Sequence, residues 1–428
     1  MQKEFDLVLK NCLAVQKGQA FKRNIGIKAG KIEKISLDIE KLNSVKVIDC
    51  KGSFLIPGLI DSHVHFRFPG MAHKEDWKSA TRAAIAGGVT TVLDMPNTIP
   101  PLTSRHLLQE KTAGVKADAL CNFGFHFGAT TDNESELKRL GWVPSIKVFM
   151  GSSTGSLLVK EEKNLERIFK IANKKDFLVT VHAEDEDIIQ ENLKRAKWDG
   201  KNNAKFHNEI RSPAAERVAV EKALRLQKKI GNKIHFLHVS TEDGLGLIAD
   251  AKKERQGVSC EVTPHHLFLS EEDIGKLGNF GKMNPPLRSR QDQNALWKGI
   301  GKGIVDCIGT DHAPHTLEEK QKPYFDAPSG VPGVETMLPL LLDSVAKDRL
   351  SIAKLTELCC ENPARIFGLK GKGAVREGFD ADLALVCLEG TTVIKNENLQ
   401  TKCRWSPFNE ARLQGKIEKV FIAGKGVF

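Results

Sequence analysis

The sequence predicts an α/β protein: a (β/α)8 barrel of the TIM type, with a small β-sandwich domain built from both chain ends. Three observations support this prediction. Apolar segments alternate with helical stretches along most of the chain, and several of these segments are near-continuous apolar runs. In the two chain ends, apolar residues alternate with polar ones. Continuous apolar runs are typical of parallel strands covered on both faces, and repeated strand–helix units favour a barrel. At 428 residues the chain suits one large domain and a smaller one.

Eight apolar segments are the predicted barrel strands. They are Leu59–Phe66, Val89–Met95, Asn122–Ala129, Ser145–Met150, Phe177–His182, Lys233–Val239, Val258–Thr263 and Ile304–Thr310. Helices are predicted between most of them; for example, Ser212 gives an N-cap before Pro213 at a first helical position. Neither chain end is long enough for a good core alone, so we expect the two to pair. The predicted divisions are 1–54 for the first part of the sandwich, 55–370 for the barrel and 371–428 for the second part.

Composition indicates a cytoplasmic protein with no membrane partner. Hydrophobic residues make up 40% and charged residues 28% of the chain, as in soluble globular proteins. No apolar run reaches the ~18 residues of a membrane span, and the first residues lack the form of a signal peptide. The nine cysteines include no Cys-x-x-Cys pair, which favours reduced thiols.

The net charge of +10 raises the question of nucleic-acid binding. The lysines are spread along predicted helices, such as 160–175 and 222–233, and form no compact arm with interleaved aromatic residues. We therefore expect a solvated basic surface and no nucleic-acid partner. A small anionic substrate would benefit mildly from such a surface.

His63 and His65, at the end of the first predicted strand, are the most informative feature of the chain. Strand alternation places positions 63, 65 and 67 on one face, which puts two imidazoles beside the guanidinium of Arg67. Chemistry in a barrel is found at the carboxyl ends of the strands. The other strand ends add Lys147, His182, His238 and Asp311. Imidazoles and a carboxylate suit zinc or a similar divalent ion.

Lys147 is the unusual member of this set because an ammonium repels a metal. A lysine kept neutral by burial can react with carbon dioxide, and the carbamate that forms can bridge two ions. No acidic residue between Ser145 and Val159 could take that role instead. The alternative is a lysine that packs or binds substrate.

The chain resembles the dihydroorotases, in the cyclic amidase group of the amidohydrolase superfamily. The motifs that carry the resemblance are Asp61-Ser62-His63-Val64-His65-Phe66-Arg67, Met95-Pro96-Asn97-Thr98, Ile146-Lys147-Val148-Phe149-Met150, Val181-His182-Ala183-Glu184, His238-Val239-Ser240, Pro264-His265-His266-Leu267-Phe268, Asn284-Pro285-Pro286-Leu287-Arg288 and Thr310-Asp311-His312-Ala313-Pro314-His315-Thr316.

The resemblance implies two divalent ions, with zinc the expected metal. The implied ligands are His63, His65 and Asp311 for one ion, His182 and His238 for the other, and N6-carboxylated Lys147 between them. The implied reaction is reversible cyclisation of N-carbamoyl-L-aspartate to (S)-dihydroorotate in pyrimidine (UMP) synthesis. A hydroxide shared by the two ions attacks the ring amide, and Asp311 transfers its proton. The implied substrate contacts are Arg67, Asn97 and His315 for the carboxylate, and Asn284 for the ring edge.

One departure from the family pattern is Phe68, where an acidic residue commonly precedes Pro-Gly; we expect a change in packing rather than lost activity. Glu261, His266 and His312 are expected to be structural. Two alternatives stay open. One is a dihydropyrimidinase, hydantoinase or allantoinase, whose substrates lack the carboxylate, and the other is a non-catalytic scaffold for a partner. Implied assemblies are a homodimer and an association with aspartate transcarbamoylase.

Overall fold

The computed structural model describes residues 4–16, 18–39, 42–44, 46–152, 157–254 and 257–428. The strands before the barrel are β1 (Glu4–Phe5), β2 (Leu7–Gln16), β3 (Gln19–Lys28), β4 (Lys31–Ser36), β5 (Asn43–Ser44), β6 (Val47–Asp49) and β7 (Phe54–Pro57). The barrel strands are β8 (Leu59–Val64), β9 (Val89–Asp94), β10 (Asn122–Phe125), β11 (Phe127–Gly128), β12 (Ile146–Phe149), β13 (Leu178–His182), β14 (Lys233–Phe236), β15 (Val258–Val262) and β16 (Cys307–Ile308). The last strands are β17 (Leu383–Val393), β18 (Arg412–Ile422) and β19 (Lys425–Gly426).

Helices follow most barrel strands. They are α1 (Trp77–Ala86), α2 (Arg105–Val115), α3 (Glu134–Arg139), α4 (Glu162–Lys175), α5 (Glu186–Trp198), α6 (His207–Ile210), α7 (Pro213–Ile230), α8 (Glu242–Glu254), α9 (Pro264–Phe268), α10 (Ile274–Leu277), α11 (Arg290–Gly301), α12 (Leu317–Gln321), α13 (Met337–Ala346), α14 (Ile352–Thr356) and α15 (Asn362–Ile366). Ser212 is the N-cap of α7, as predicted, although its side chain makes no capping hydrogen bond. Within the described residues, no helix has the length and apolar character needed to cross a bilayer.

The predicted barrel is confirmed. Strands β8, β9 and β10 pair in parallel, strands β11 to β16 pair in parallel in chain order, and a parallel bridge between Val64 and His312 joins the first strand to the segment after the last. The strands are shorter than predicted. The third is also divided at His126, whose Nε2 lies 2.9 Å from Ser62 O and whose Nδ1 lies 2.6 Å from Ser145 Oγ. A polar side chain held inside the barrel therefore interrupts the predicted continuous strand.

The two chain ends share one sheet, as expected. Its strand order is β19-β18-β17-β7-β2-β3-β4, and antiparallel pairing of β17 with β7 joins the two ends. Apolar side chains from both ends, including Leu9, Ile25, Leu383 and Phe421, form a core separate from that of the barrel. The domain limits after residues 54 and 370 stay a prediction.

A buried ion pair ties α2 to the end of β9, close to the first predicted metal ligands. Lys111 Nζ lies 2.5 Å from Asp94 Oδ2, and Asp94 Oδ1 accepts a hydrogen bond from Phe66 N at 2.7 Å. We expect Lys111→Met to lower the free energy of unfolding by about 3–5 kcal/mol, because it leaves a buried carboxylate without its partner. Denaturant titration measures this loss. Adding Asp94→Asn to Lys111→Met should recover part of the lost free energy of unfolding. If the losses of the two single variants simply add in the double variant, the pairing is contradicted.

Candidate active site

All six predicted metal ligands lie buried at the carboxyl ends of barrel strands. His63, Lys147 and His182 belong to β8, β12 and β13, and the other three follow β8, β14 and β16 within three residues. Two of the six, His238 (φ 37°) and Asp311 (φ 48°), have left-handed backbones. Non-glycine residues rarely adopt this conformation, which tends to cluster at functional sites where the surroundings enforce it.

Three donor atoms from the first and last strands converge on one point. Asp311 Oδ1 lies 3.2 Å from His63 Nε2 and 3.0 Å from His65 Nε2. Ligand atoms on a tetrahedral zinc ion lie about 3.3 Å apart, since each bond is about 2.0–2.1 Å. Burial alone would raise the pKa of Asp311, but the neighbouring histidines hold it well below its usual range. The three atoms therefore fit one divalent ion.

A second pair of donor atoms lies beside the first group. His182 Nδ1 and His238 Nε2 are 2.9 Å apart, and the rings of His63 and His238 have centroids separated by 5.3 Å. Ligand atoms of His63, His238 and Asp311 all lie within 4.8 Å of one another. The donor set thus fits two neighbouring ions.

In two of the predicted ligands, the ring nitrogen opposite the metal position is held by a buried acceptor. His63 Nδ1 lies 2.6 Å from Glu261 Oε1, and His65 Nδ1 lies 2.7 Å from Asn97 Oδ1. Each Nδ1 can donate its hydrogen to that oxygen, which leaves the lone pair of Nε2 facing the metal position. Glu261 thus has the structural role expected of it. Asn97, predicted to contact substrate, orients His65 through its oxygen, and its substrate role stays a prediction.

Glu184 and Arg211 contact His182 and were not identified from the sequence as site residues. Glu184 Oε2 lies 2.8 Å from His182 Nε2, and Arg211 Nε lies 3.1 and 3.0 Å from the two carboxylate oxygens of Glu184. The position of Glu184, two residues after His182, was a signal for this contact. No sequence pattern indicated the contact of Arg211, because this residue comes from the distant segment before α7.

Lys147 occupies a fully buried position on β12. Its side chain is 1% exposed, and its Nζ lies 4.4 Å from the centroid of the Phe149 ring. Burial lowers the pKa of Lys147 to about 7. Among the residues that the structure describes, no carboxylate forms an ion pair with it. A fraction of neutral amine at neutral pH is what carbamate formation needs.

Arg67 is a buried cation that forms no ion pair with an acidic side chain in the described ranges. It is 2% exposed, its Nε donates to Pro314 O at 3.1 Å, and its Nη2 lies 3.0 Å from His315 Nε2. Burial lowers its pKa to about 10, so the guanidinium stays charged at neutral pH. The strand that was predicted to orient Arg67 ends at Val64. The direction of the Arg67 side chain is set instead by its own left-handed backbone (φ 62°).

His315 lies beside Arg67 and is covered by a glycine turn; its predicted contact with the substrate carboxylate stays a prediction. Its Nε2 is 3.0 Å from Ser329 O. Gly330 has φ 139°, and a Cβ there would lie 2.6 Å from Ala313 O and 3.0 Å from the His315 ring, so only glycine fits.

Asn284 Oδ1 lies 2.9 Å from His207 Nε2, and its predicted contact with the substrate ring stays a prediction. His266 Nε2 lies 3.2 Å from Pro285 O, and His312 Nδ1 accepts from Gly333 N at 3.1 Å. Both histidines form hydrogen bonds with the backbone, in line with their expected structural roles.

Phe68 packs against the barrel core and lines an apolar cavity of about 230 Å³ with Pro69, Leu102 and Leu107.

Comparisons with known proteins agree with this geometry. Residues 54–427 match the amidohydrolase family. The dihydroorotase of Methanosarcina mazei is 42% identical over 413 residues, which cover 94% of this chain and 90% of the relative. The dihydroorotase of Halobacterium salinarum is 40% identical over 388 residues, or 89% of each chain.

Solved structures of related enzymes have the same fold. An L-hydantoinase (dihydropyrimidinase) from Arthrobacter aurescens superposes with a TM-score of 0.96 and 31% identity, covering 99% of this chain and 96% of the other. A dihydropyrimidinase from Brevibacillus agri NCHU1002 gives a TM-score of 0.92 and 26% identity over 98% and 94%. The protein is thus an enzyme of a hydrolytic, metal-dependent class. The chain belongs to the dihydroorotase group of the amidohydrolase family.

Proposed function

We propose that the protein catalyses the reversible cyclisation of N-carbamoyl-L-aspartate to (S)-dihydroorotate. The observation that carries this proposal is the buried Arg67, which adjoins the candidate metal ligands and has no acidic side-chain partner in the described part of the chain. A planar guanidinium matches a carboxylate through two parallel hydrogen bonds. Both the open-chain and the cyclic compound carry such a carboxylate, and the relatives named dihydroorotase support the same activity.

We propose that the site holds two zinc ions. The proposed ligands are His63, His65 and Asp311 for one ion, His182 and His238 for the other, and N6-carboxylated Lys147 for both. When bound, the ions supply a water that ionises near neutral pH and polarise the carbonyl that is attacked. The distances among the donor atoms and the carboxylate and amide partners of the opposite ring nitrogens support this assignment.

Asp311 is the proposed general acid and base. In ring opening, its carboxylate takes a proton from the attacking water and gives it to the departing ring nitrogen; cyclisation reverses the transfer. His63 Nε2 and His65 Nε2 lie 3.2 and 3.0 Å from Asp311 Oδ1, so the carboxylate lies at the candidate metal position, and its pKa stays well below its usual range. Because Asp311 transfers the proton in ring opening and in cyclisation, one residue can serve both directions of the reaction.

Arg67→Ala is expected to lower kcat/KM for dihydroorotate by at least about 30-fold, because losing one partner of a buried charge pair costs about 2–5 kcal/mol. Metal content should change little, since no metal-binding atom is removed. Steady-state kinetics with metal analysis of the same sample measures both. Arg82→Ala, which removes an exposed guanidinium from α1, is the matched control. Loss of both metals together with activity would contradict the role given to Arg67.

A hydantoinase or dihydropyrimidinase activity is the second candidate, favoured by the TM-score of 0.96 to the Arthrobacter aurescens enzyme. The substrates of such enzymes lack the carboxylate that Arg67 would bind. Turnover of dihydroorotate, dihydrouracil, a substituted hydantoin and allantoin by one metal-quantified preparation separates the candidates. We expect dihydroorotate to be preferred. Turnover of an uncharged ring alone would overturn the proposed function.

Location and assembly complete the proposal. All nine cysteines lie in described parts of the chain and are free thiols, which supports a reducing compartment such as the cytoplasm. Homodimer formation and association with aspartate transcarbamoylase stay predictions. Size-exclusion chromatography, with and without that enzyme, tests both.

A further inference from the structure

The loop between α12 and α13 reaches two of the predicted substrate contacts. Ser329 O lies 3.0 Å from His315 Nε2. The hydroxyl of Tyr324 lies 2.7 Å from His207 Nδ1, and His207 Nε2 lies 2.9 Å from Asn284 Oδ1. The loop thus touches His315 directly and reaches Asn284 through one buried histidine, so its position bears on both.

Lys320, in α12, holds the backbone on both sides of Ser329. Its Nζ donates to Pro328 O and Gly330 O at 3.0 Å each, and to Lys282 O at 3.1 Å. The residue is fully buried, and it forms no ion pair with any carboxylate that the structure describes. Burial lowers the pKa of Lys320 well below its usual range, whereas hydrogen bonds to carbonyls favour the charged form. Three carbonyls match the three hydrogens of an ammonium, since a neutral amine has only two.

Lys282, between α10 and α11, holds the earlier part of the same loop. Its Nζ donates to Tyr324 O and Ala327 O at 2.6 Å each, and its own carbonyl accepts from Gly330 N at 2.9 Å. Lys282 is 8% exposed, and burial lowers its pKa to about 8. Buried carbonyls outside helices and strands need such partners, because no regular backbone pairing satisfies them.

A loop held in this way cannot swing outward as a lid without losing four hydrogen bonds. These are the bonds from the two amino groups to the carbonyls of Tyr324, Ala327, Pro328 and Gly330. Such a movement would leave both amino groups buried and short of acceptors, which is unfavourable for buried polar groups. Tyr324 and residues 327–330 therefore form a fixed pocket wall rather than a mobile lid.

We propose that Lys320 and Lys282 are positioning residues for substrate binding: their amino groups hold the pocket wall rigid. Through this wall they keep His315 and Asn284 in place for the substrate. The inference rests on the proposed function for its consequence, but the rigidity of the wall can be measured without turnover.

The first experiment is hydrogen–deuterium exchange of the full-length protein, read by mass spectrometry. Lys320→Met keeps the bulk of the side chain but loses its donors. It should speed exchange in peptides covering residues 324–330 at least about 10-fold, while exchange in α7 changes less than about 2-fold. Lys322→Met, which removes an exposed charge from the same loop, is the matched control and should exchange like the wild type.

Two outcomes of the exchange experiment would overturn the proposal. One is unchanged exchange of residues 324–330 in Lys320→Met, and the other is an equal acceleration in α7, which would indicate a general effect on stability. If Lys320→Met does not fold, Lys282→Met answers the same question, because it frees only the carbonyls of Tyr324 and Ala327.

The second experiment measures KM and kcat separately for dihydroorotate. Lys320→Met should raise KM at least about 10-fold with a much smaller effect on kcat, because it loosens the pocket wall and removes no metal-binding atom. Tyr324→Phe, which removes only the hydroxyl beside His207, should raise KM by about 3-fold. Lys322→Met should leave KM unchanged.

The kinetic result also separates this inference from the proposed function. An unchanged KM in Lys320→Met, or an equal rise in Lys322→Met, would overturn the positioning role. Absence of dihydroorotate turnover by the wild type would instead refute the proposed function, and the exchange result would still decide whether the two lysines hold the wall.

Discussion

Asp311→Asn is expected to lower kcat for dihydroorotate by about 10²- to 10⁴-fold, the usual contribution of a positioned proton-transfer group. The amide has nearly the same shape as the carboxylate but cannot accept the proton of the attacking water. The overall fold should persist, because Asp311 lies at the mouth of the barrel beyond the last strand. Circular dichroism and thermal unfolding check the fold, and metal analysis accompanies the rate measurement.

The metal content of Asp311→Asn separates the two roles assigned to this residue. Retention of both ions with lost turnover supports proton transfer, whereas loss of one ion shows that binding the metal is its dominant role. Asp326→Asn, an exposed change in the loop before Gly330, is the matched control and should keep normal rates. Near-normal turnover by Asp311→Asn would refute both roles.

Lys147→Met is expected to remove the shared ligand and to lower kcat/KM by at least about 100-fold, because two clustered ions would lose the anion between them. Metal analysis should show fewer than two ions per chain. The methionine fills the same buried space, so a large loss of stability is not expected.

A paired variant tests whether a carbamate is the missing group. Lys147→Ala leaves room for a small carboxylate, so added acetate or propionate should restore part of its activity and its metal content. The same acids should not restore Lys147→Met, where the side chain occupies that space. In parallel, metal-free wild type reconstituted in carbon dioxide-free buffer should regain less activity than with bicarbonate. Full activity in Lys147→Met would eliminate the bridging role.

The sequence predicted the barrel because burial on both faces leaves a direct pattern of apolar runs. It also predicted that the candidate metal-binding side chains lie together at the strand ends, since strand order determines where those ends meet. It could not predict the break at His126, which depends on partners at residues 62 and 145. Nor could it predict the contact of Arg211 with Glu184, or the left-handed backbone that turns Arg67 toward His315. These features depend on contacts between distant segments, which residue patterns do not encode locally.

The bridge between Val64 and His312 has a consequence for how the enzyme matures on the ribosome. His65 N donates to His312 O at 2.8 Å, so the backbone that closes the cylinder also places two imidazoles next to the carboxylate that follows Thr310. During translation, His63 and His65 emerge nearly 250 residues before Asp311 and must wait for it. A nascent chain therefore cannot bring these three side chains together until residue 311 of its 428 residues has been made.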